Sequence, residues 1–126
     1  MSGAATIYVS RLDSTAAFYQ ECFALEVVDA AAGDYKVLES QVWTLSIVQV
    51  PAVVASSIHL SAVAVRREHT PIKLAFDVTS IKAHRVMILA NGGQVDDTEW
   101  EFRGYWHCDF VDPEGNVGQL RERRDG

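Results

Sequence analysis

An α+β fold of two βαβββ modules is predicted for this chain, and three observations predict it. The element signals run strand, helix, three strands, and then the same order again, with a period near half of the 126 residues. Each half holds one stretch with apolar residues at helical spacing, set among short alternating segments. Apolar residues at 48% against charged ones at 22% describe a globular chain, long enough to bury a core. Each helix would bury its apolar stripe on one face of its sheet, on the outside. The opposite faces would pair into a curved mixed sheet with an open groove, the natural place to look for function. The modules take residues 1–50 and 71–126 of a single domain, 1–126, with a connector at 51–70.

Residues 4–10, AATIYVS, alternate as a strand with Ala5, Ile7 and Val9 on one side. In LDSTAAFYQECFAL, Asp13 or Ser14 suits a helix cap, and Ala17, Phe18, Cys22 and Leu25 form an apolar stripe. LEVVDA, YKVLES and VWTLSIVQV follow as strands, with Gly33 and Asp34 suited to the tight reversal between the first two. Residues 51–70 fit no period and read as a connector with one short helix. IKLAFDV restarts the alternation at residue 72. TSIKAHRVMILANGG is a helix capped by Thr79 or Ser80 and stopped by Gly92–Gly93. QVDDTEW, GYWHCDFV and NVGQLRE complete the second set of strands.

The net charge of −6 argues against a nucleic-acid groove, which needs clustered Lys and Arg. RERR at 121–124, broken by Glu122, reads as a solvated tail. Cys22 and Cys108 form no C-x-x-C pair, the start MSGAAT has no secretory pattern, and no stretch reaches the ~20 apolar residues of a membrane span. The expectation is a cytoplasmic protein with reduced thiols. Gly-x-Gly-x-x-Gly and Walker spacings are missing, so nucleotide binding has no support. His59, His69 and His84 lack metal-ligand spacing and read as surface residues.

DPEGNVGQL, residues 112–120, has turn chemistry running into a strand: Pro113 presets φ, Asp112 can bond the backbone ahead, and Gly115 allows positive φ. Such a turn fixes the register of the strand after it. Counting in twos, Gln119 and Arg121 face the open side and Leu120 the helices. Lys73, His107 and Asp109 also fall on the open side, while Cys108 and Phe110 face the helices. Trp43 and Trp106 share parity with core positions, and Trp100 is placed in the groove or at an interface. Flat aromatic walls suit planar ligands.

With LDSTAAFYQECFALEV (12–27), DPEGNVGQL and, more weakly, IKLAFDVTSI (72–81), the chain resembles the vicinal oxygen chelate superfamily of glyoxalase I, extradiol dioxygenases and fosfomycin and bleomycin resistance proteins. The first stretch is most similar to the bleomycin resistance branch. The enzymes of that superfamily hold a metal in the groove with His, Gln or Glu from four strands. The resemblance carries those positions onto Ala4, Ser46, Lys73 and Gln119. Alanine has no donor, a hydroxyl is a poor one, an ammonium repels a cation, and a single amide is weak. The resemblance therefore implies a metal-free small-molecule binder without cofactors, a homodimer that grips an organic, antibiotic-like, aromatic or cationic ligand.

The expected ligand-binding residues are Tyr8, Thr44, Ser46, Lys73, Trp100, His107, Asp109 and Gln119, with no catalytic residue assigned. Duller readings stand beside these. Gln119 can satisfy a neighbour instead of a ligand, and Lys73 and Asp109 can simply pair with each other. The alternative function is a lyase, isomerase or dioxygenase using a shifted metal site, or Lys73 and His107 without one. A third is a partner-binding module with a filled groove.

Overall fold

The computed structural model describes residues 3–51, 66 and 72–125. The first half contains β1 (Gly3–Val9), α1 (Leu12–Phe23), β2 (Glu26–Ala31), β3 (Tyr35–Glu39) and β4 (Trp43–Gln49). The second contains β5 (Leu74–Val78), α2 (Ile81–Ala90), β6 (Gln94–Phe102), β7 (Tyr105–Val111) and β8 (Val117–Arg123). Two βαβββ modules are thus present, as the repeated element order predicts. The connector expected at 51–70 lies outside the described residues except for Pro51 and Arg66.

Each module makes one four-stranded mixed sheet, ordered β1-β4-β3-β2 and β5-β8-β7-β6. In both, the first strand runs parallel to the last, and the remaining neighbours are antiparallel. The connections explain this. A helix carries the chain away from its first strand, the next three strands follow as a meander, and the last of them returns beside the first.

Period-two alternation decides the faces. Val9, Leu38, Leu45 and Ile47 of the first sheet and Phe76, Cys108, Phe110 and Leu120 of the second are buried in one continuous cluster. Residues Leu12, Ala16, Phe18, Tyr19 and Cys22 of α1 join the same cluster. The helix packs on β3 and β4 while its Phe18 ring lies 5.8 Å from Phe110 and its Tyr19 ring 6.0 Å from Phe76. Each helix does sit opposite the open face of its own sheet. Within one chain, this places α1 between the two sheets. No strand of one sheet is hydrogen-bonded to a strand of the other among the described residues, so the curved surface comes as two separate open faces turned away from a shared core.

The DPEGN turn locks the modules together. Gly115, with φ at 97°, lets the turn reverse, and Asp112 accepts from the Glu114 and Asn116 amides at 2.9 Å each. The other Asp112 oxygen accepts from Tyr19 Oη of α1 at 2.7 Å. Glu114, with none of its surface exposed, accepts from the Ser10 amide at 2.8 Å and from Ser10 Oγ at 3.0 Å. Burial pushes the Asp112 carboxyl above its ordinary range, partly offset by the Tyr19 and Asn116 hydrogen bonds.

Four sequence expectations are corrected. Asp13 and Ser14 do not cap α1; they lie in its first turn, and the Leu12 amide instead donates to Gln49 Oε1 at 3.2 Å. RERR is no tail: Arg121–Arg123 belong to β8, whose pairing with β7 runs on to Tyr105 and Arg123. Trp106 has inward parity but sits near the sheet end, where the core has run out, and is 38% exposed. His84 is half-buried, its Nδ1 lying 3.1 Å from the Ser80 carbonyl oxygen and its ring 5.8 Å from Phe23. Ser80 does cap α2, accepting from the Ala83 amide at 3.1 Å.

Candidate functional site

The second sheet's open face is a grid set by strand register. Ala75, Gln119 and Asp109 align in one row across β5, β8 and β7. Asp77, Arg121, His107 and Trp100 make the next row, and Arg123, Tyr105 and Phe102 the one after. Lys73 enters from just before β5.

Polar contacts converge on Asp109, which is 5% exposed. Its Oδ2 lies 2.7 Å from Lys73 Nζ and 3.3 Å from an Arg66 guanidinium nitrogen, and its Oδ1 accepts from Gln119 Nε2 at 3.3 Å. Arg66 also pairs with Asp96. The carboxylate is thus met by two cations and an amide, which compensates a buried charge. Both duller readings hold here: Lys73 pairs with Asp109, and Gln119 satisfies a neighbour. Sequence reasoning misses Arg66 because it lies in the irregular connector, and Asp96 because nothing within its own strand, QVDDTEW, marks a partner thirty residues back.

Aromatic residues form the other half of this face. The His107 ring stacks on Trp100 with centroids 5.5 Å apart and planes at 13°. Its Nδ1 lies 3.2 Å from the Tyr105 carbonyl oxygen, so in the neutral ring Nδ1 carries the proton and Nε2 is the acceptor. The Arg121 guanidinium lies 4.1 Å over the Tyr105 ring, a cation–π contact. Arg121 Nε is also 3.0 Å from Asp77 Oδ1, without the alignment of a hydrogen bond. Gln119, His107, Tyr105, Phe102 and Arg121 line a cavity of about 470 Å³, a volume in the range of small-molecule sites. Tyr105 and Arg121 are not among the expected ligand residues, although strand parity places both on this face.

Tyr8, Thr44 and Ser46 lie on the first sheet's open face. Ser46 is paired with Thr6 and Val37, and Thr44 with Ala4 and Glu39. Tyr8 is 65% exposed. Within one chain these three residues are therefore apart from Lys73, Trp100, His107, Asp109 and Gln119.

The donor set does not fit the divalent ion that the fold family implies. Of the four carried-over positions, Ala4 offers nothing, Ser46 a hydroxyl, Lys73 an ammonium already held by Asp109, and Gln119 an amide whose nitrogen donates to that same carboxylate. Among the described residues, no three His, Cys, Asp or Glu side chains are grouped to hold a metal ion. Among those residues, too, no helix is long and apolar enough to cross a membrane.

No protein-family model and no curated protein sequence matches the chain. Solved structures do. A glyoxalase/bleomycin resistance protein/dioxygenase family enzyme from Burkholderia phytofirmans PsJN superposes with a TM-score of 0.72 at 17% identity, over 95% of this chain and 96% of that one. A point mutant of the fosfomycin resistance protein FosX from Listeria monocytogenes, complexed with Mn(II) and 1S,2S-dihydroxypropylphosphonic acid, gives 0.70 at 20%, over 96% and 87%. A lactoylglutathione lyase from Agrobacterium tumefaciens gives 0.63 at 20%, over 97% and 92%. At these identities the likeness carries the fold and leaves the chemistry to the residues present.

Proposed function

We propose that this chain, which has the fold of the vicinal oxygen chelate superfamily, is a metal-independent binding protein for small organic molecules of aromatic or cationic character. The observation that carries the reading is Lys73 Nζ at 2.7 Å from Asp109. It supports protein cations, Lys73 with Arg66, in place of a metal as the positive charge that meets Asp109. The stacked Trp100 and His107, with Gln119 on the same cavity wall as His107, offer flat contact area and an amide that can donate and accept. The protein acts as a homodimer, in which Tyr8, Thr44 and Ser46 of one copy oppose the second-sheet face of the other and close the groove. Sequestration of an antibiotic-like molecule is the physiological role that fits such a groove.

A panel of planar and cationic compounds, screened by thermal unfolding in the presence of a chelator, tests this. A true ligand at a hundred times its Kd stabilises by about 2.7 kcal/mol, and His107→Ala or Gln119→Ala should weaken that shift. Because one structural neighbour is a lyase and another holds Mn(II), the same preparation is to be assayed for bound metal. Stoichiometric zinc, manganese, nickel or iron together with an empty panel would sink the proposal.

A further inference from the structure

A second cavity, of about 560 Å³, opens between the modules at the free edge of β5, where the inner side of the second sheet turns over to its open face at Ala75, Asp77 and Arg121. Its floor is a run of four nearly parallel rings. Trp43 of β4 lies 5.8 Å from Phe76 at 29°, Phe76 lies 4.1 Å from Phe23 at 17°, and Phe23 lies 5.8 Å from His84 at 23°. Three of these rings, Trp43, Phe23 and His84, keep part of their surface uncovered. At the cleft wall, Val42 is 67% and Met87 36% exposed. A chain that seals Phe18, Phe110 and Leu120 completely leaves these rings open to solvent, in a hollow of ligand size.

The charged groups of the cleft carry more acid than base. Glu21 and Asp77 stand on its wall, and the guanidinium there, Arg121, is already beside Asp77. With His84 Nδ1 donating to the Ser80 carbonyl, Nε2 of the neutral ring adds another acceptor. The uncovered parts of Trp43, Phe23 and His84, set beside carboxylates, suit a flat cation, whose ring can lie against an uncovered ring surface while its charge is drawn to the carboxylates.

We infer that this inter-module cleft is a binding site for a planar aromatic cation, distinct from the groove of the open faces, with which it shares only Ala75 and Arg121 of its wall. It does not depend on the function proposed above, since its rings belong to the inner sides of the sheets and to the helices.

Titration of the isotope-labelled full chain with proflavine, a planar acridine cation, followed by backbone amide NMR, tests the site. The expected shifts are at Phe23, Trp43, Phe76 and His84. Glu21→Gln, an exposed change on α1, should weaken binding about two- to fivefold. Val42→Arg, which sets a like charge at the mouth without touching the core, should weaken it at least about tenfold. Naphthalene-1-sulfonate, planar but anionic, should bind more weakly than proflavine. Shifts at Ser46, His107 and Gln119 instead would overturn the cleft and leave the open-face reading standing. No shifts at all, undiminished affinity in both variants, or equal binding of the sulfonate would also overturn it.

Discussion

Gly118→Ala places a single methyl group where the second sheet has no room for one. A β-carbon there would lie 2.2 Å from Phe110 Cζ and 2.6 and 2.9 Å from its two Cε atoms. Carbon contacts settle near 3.5–4.0 Å, so the ring must retreat by on the order of 1 Å or more. Phe110 has no exposed surface, and Phe18, Phe23 and Phe76 surround it with centroids 5.8, 5.4 and 6.2 Å away. The backbone cannot yield either, because Gly118 is registered against Phe110 on one side and Leu74 on the other. Overpacking of this kind costs about 1–3 kcal/mol, and this crowded site belongs at the upper end. Relief of glycine's backbone entropy returns roughly 0.5–1 kcal/mol, which leaves a net loss of about 2 kcal/mol. Urea unfolding should show this as a lower midpoint at unchanged m, and heating as a Tm lower by roughly 6–10 °C. Adding Phe110→Leu to Gly118→Ala should recover part of the loss, with a coupling of about 1 kcal/mol in the double-mutant cycle. A wild-type midpoint in the single variant, or strict additivity in the cycle, would refute the ring-over-glycine account.

Tyr19→Phe removes the 2.7 Å bond to Asp112 and should cost about 1.5–3 kcal/mol at neutral pH. The Asp112 carboxyl is already raised by burial, so its contribution to stability is greatest in acid and falls as pH rises through that raised value. Without the tyrosine hydrogen bond it should titrate higher still, by carboxyl NMR, and the variant's deficit should shrink in acid. Asp109→Ala leaves Lys73 and Gln119 without their acceptor. Since Lys73 is 40% exposed, the loss by chemical denaturation should be about 1–3 kcal/mol, less than for a fully buried pair. Neither cysteine should react with a thiol reagent in the native protein at neutral pH, whereas both should react in urea. Burial pushes the Cys22 thiol up to about 12 and raises Cys108 as well.

Period and parity make the elements legible because each records a local requirement. Ala5, Ile7 and Val9 face the core, as do Leu74, Phe76 and Val78, while His107, Asp109 and Gln119 face outward, as counting in twos predicts. What escapes depends on distant chain. The helix start that Asp13 or Ser14 would cap is served by Gln49, thirty-seven residues from the Leu12 amide. Glu114 reads as an ordinary turn residue, yet it is buried against Ser10 across the molecule. Parity also says which side of a sheet a residue occupies, and nothing about where the other sheet stands. It therefore gathers the expected ligand residues into a common groove, although one chain divides them between two faces. Trp106 shows the opposite error: its parity is right, but the core ends before it.

The paired clasps of the DPEGN turn, Asp112 on Tyr19 and Glu114 on Ser10, have a consequence for how the molecule comes apart. Pulling the halves away from each other would break the Tyr19 bond to Asp112 and the Ser10 bonds to Glu114, and would expose the apolar cluster the halves share, while the rest of each sheet was still intact. Neither half has a separate core to fall back on, because Leu38, Leu45, Phe76, Phe110 and Leu120 belong to one cluster with α1. Heat should therefore melt both halves in one calorimetric step, despite their look of a duplicated pair, and neither half should persist once the other is lost.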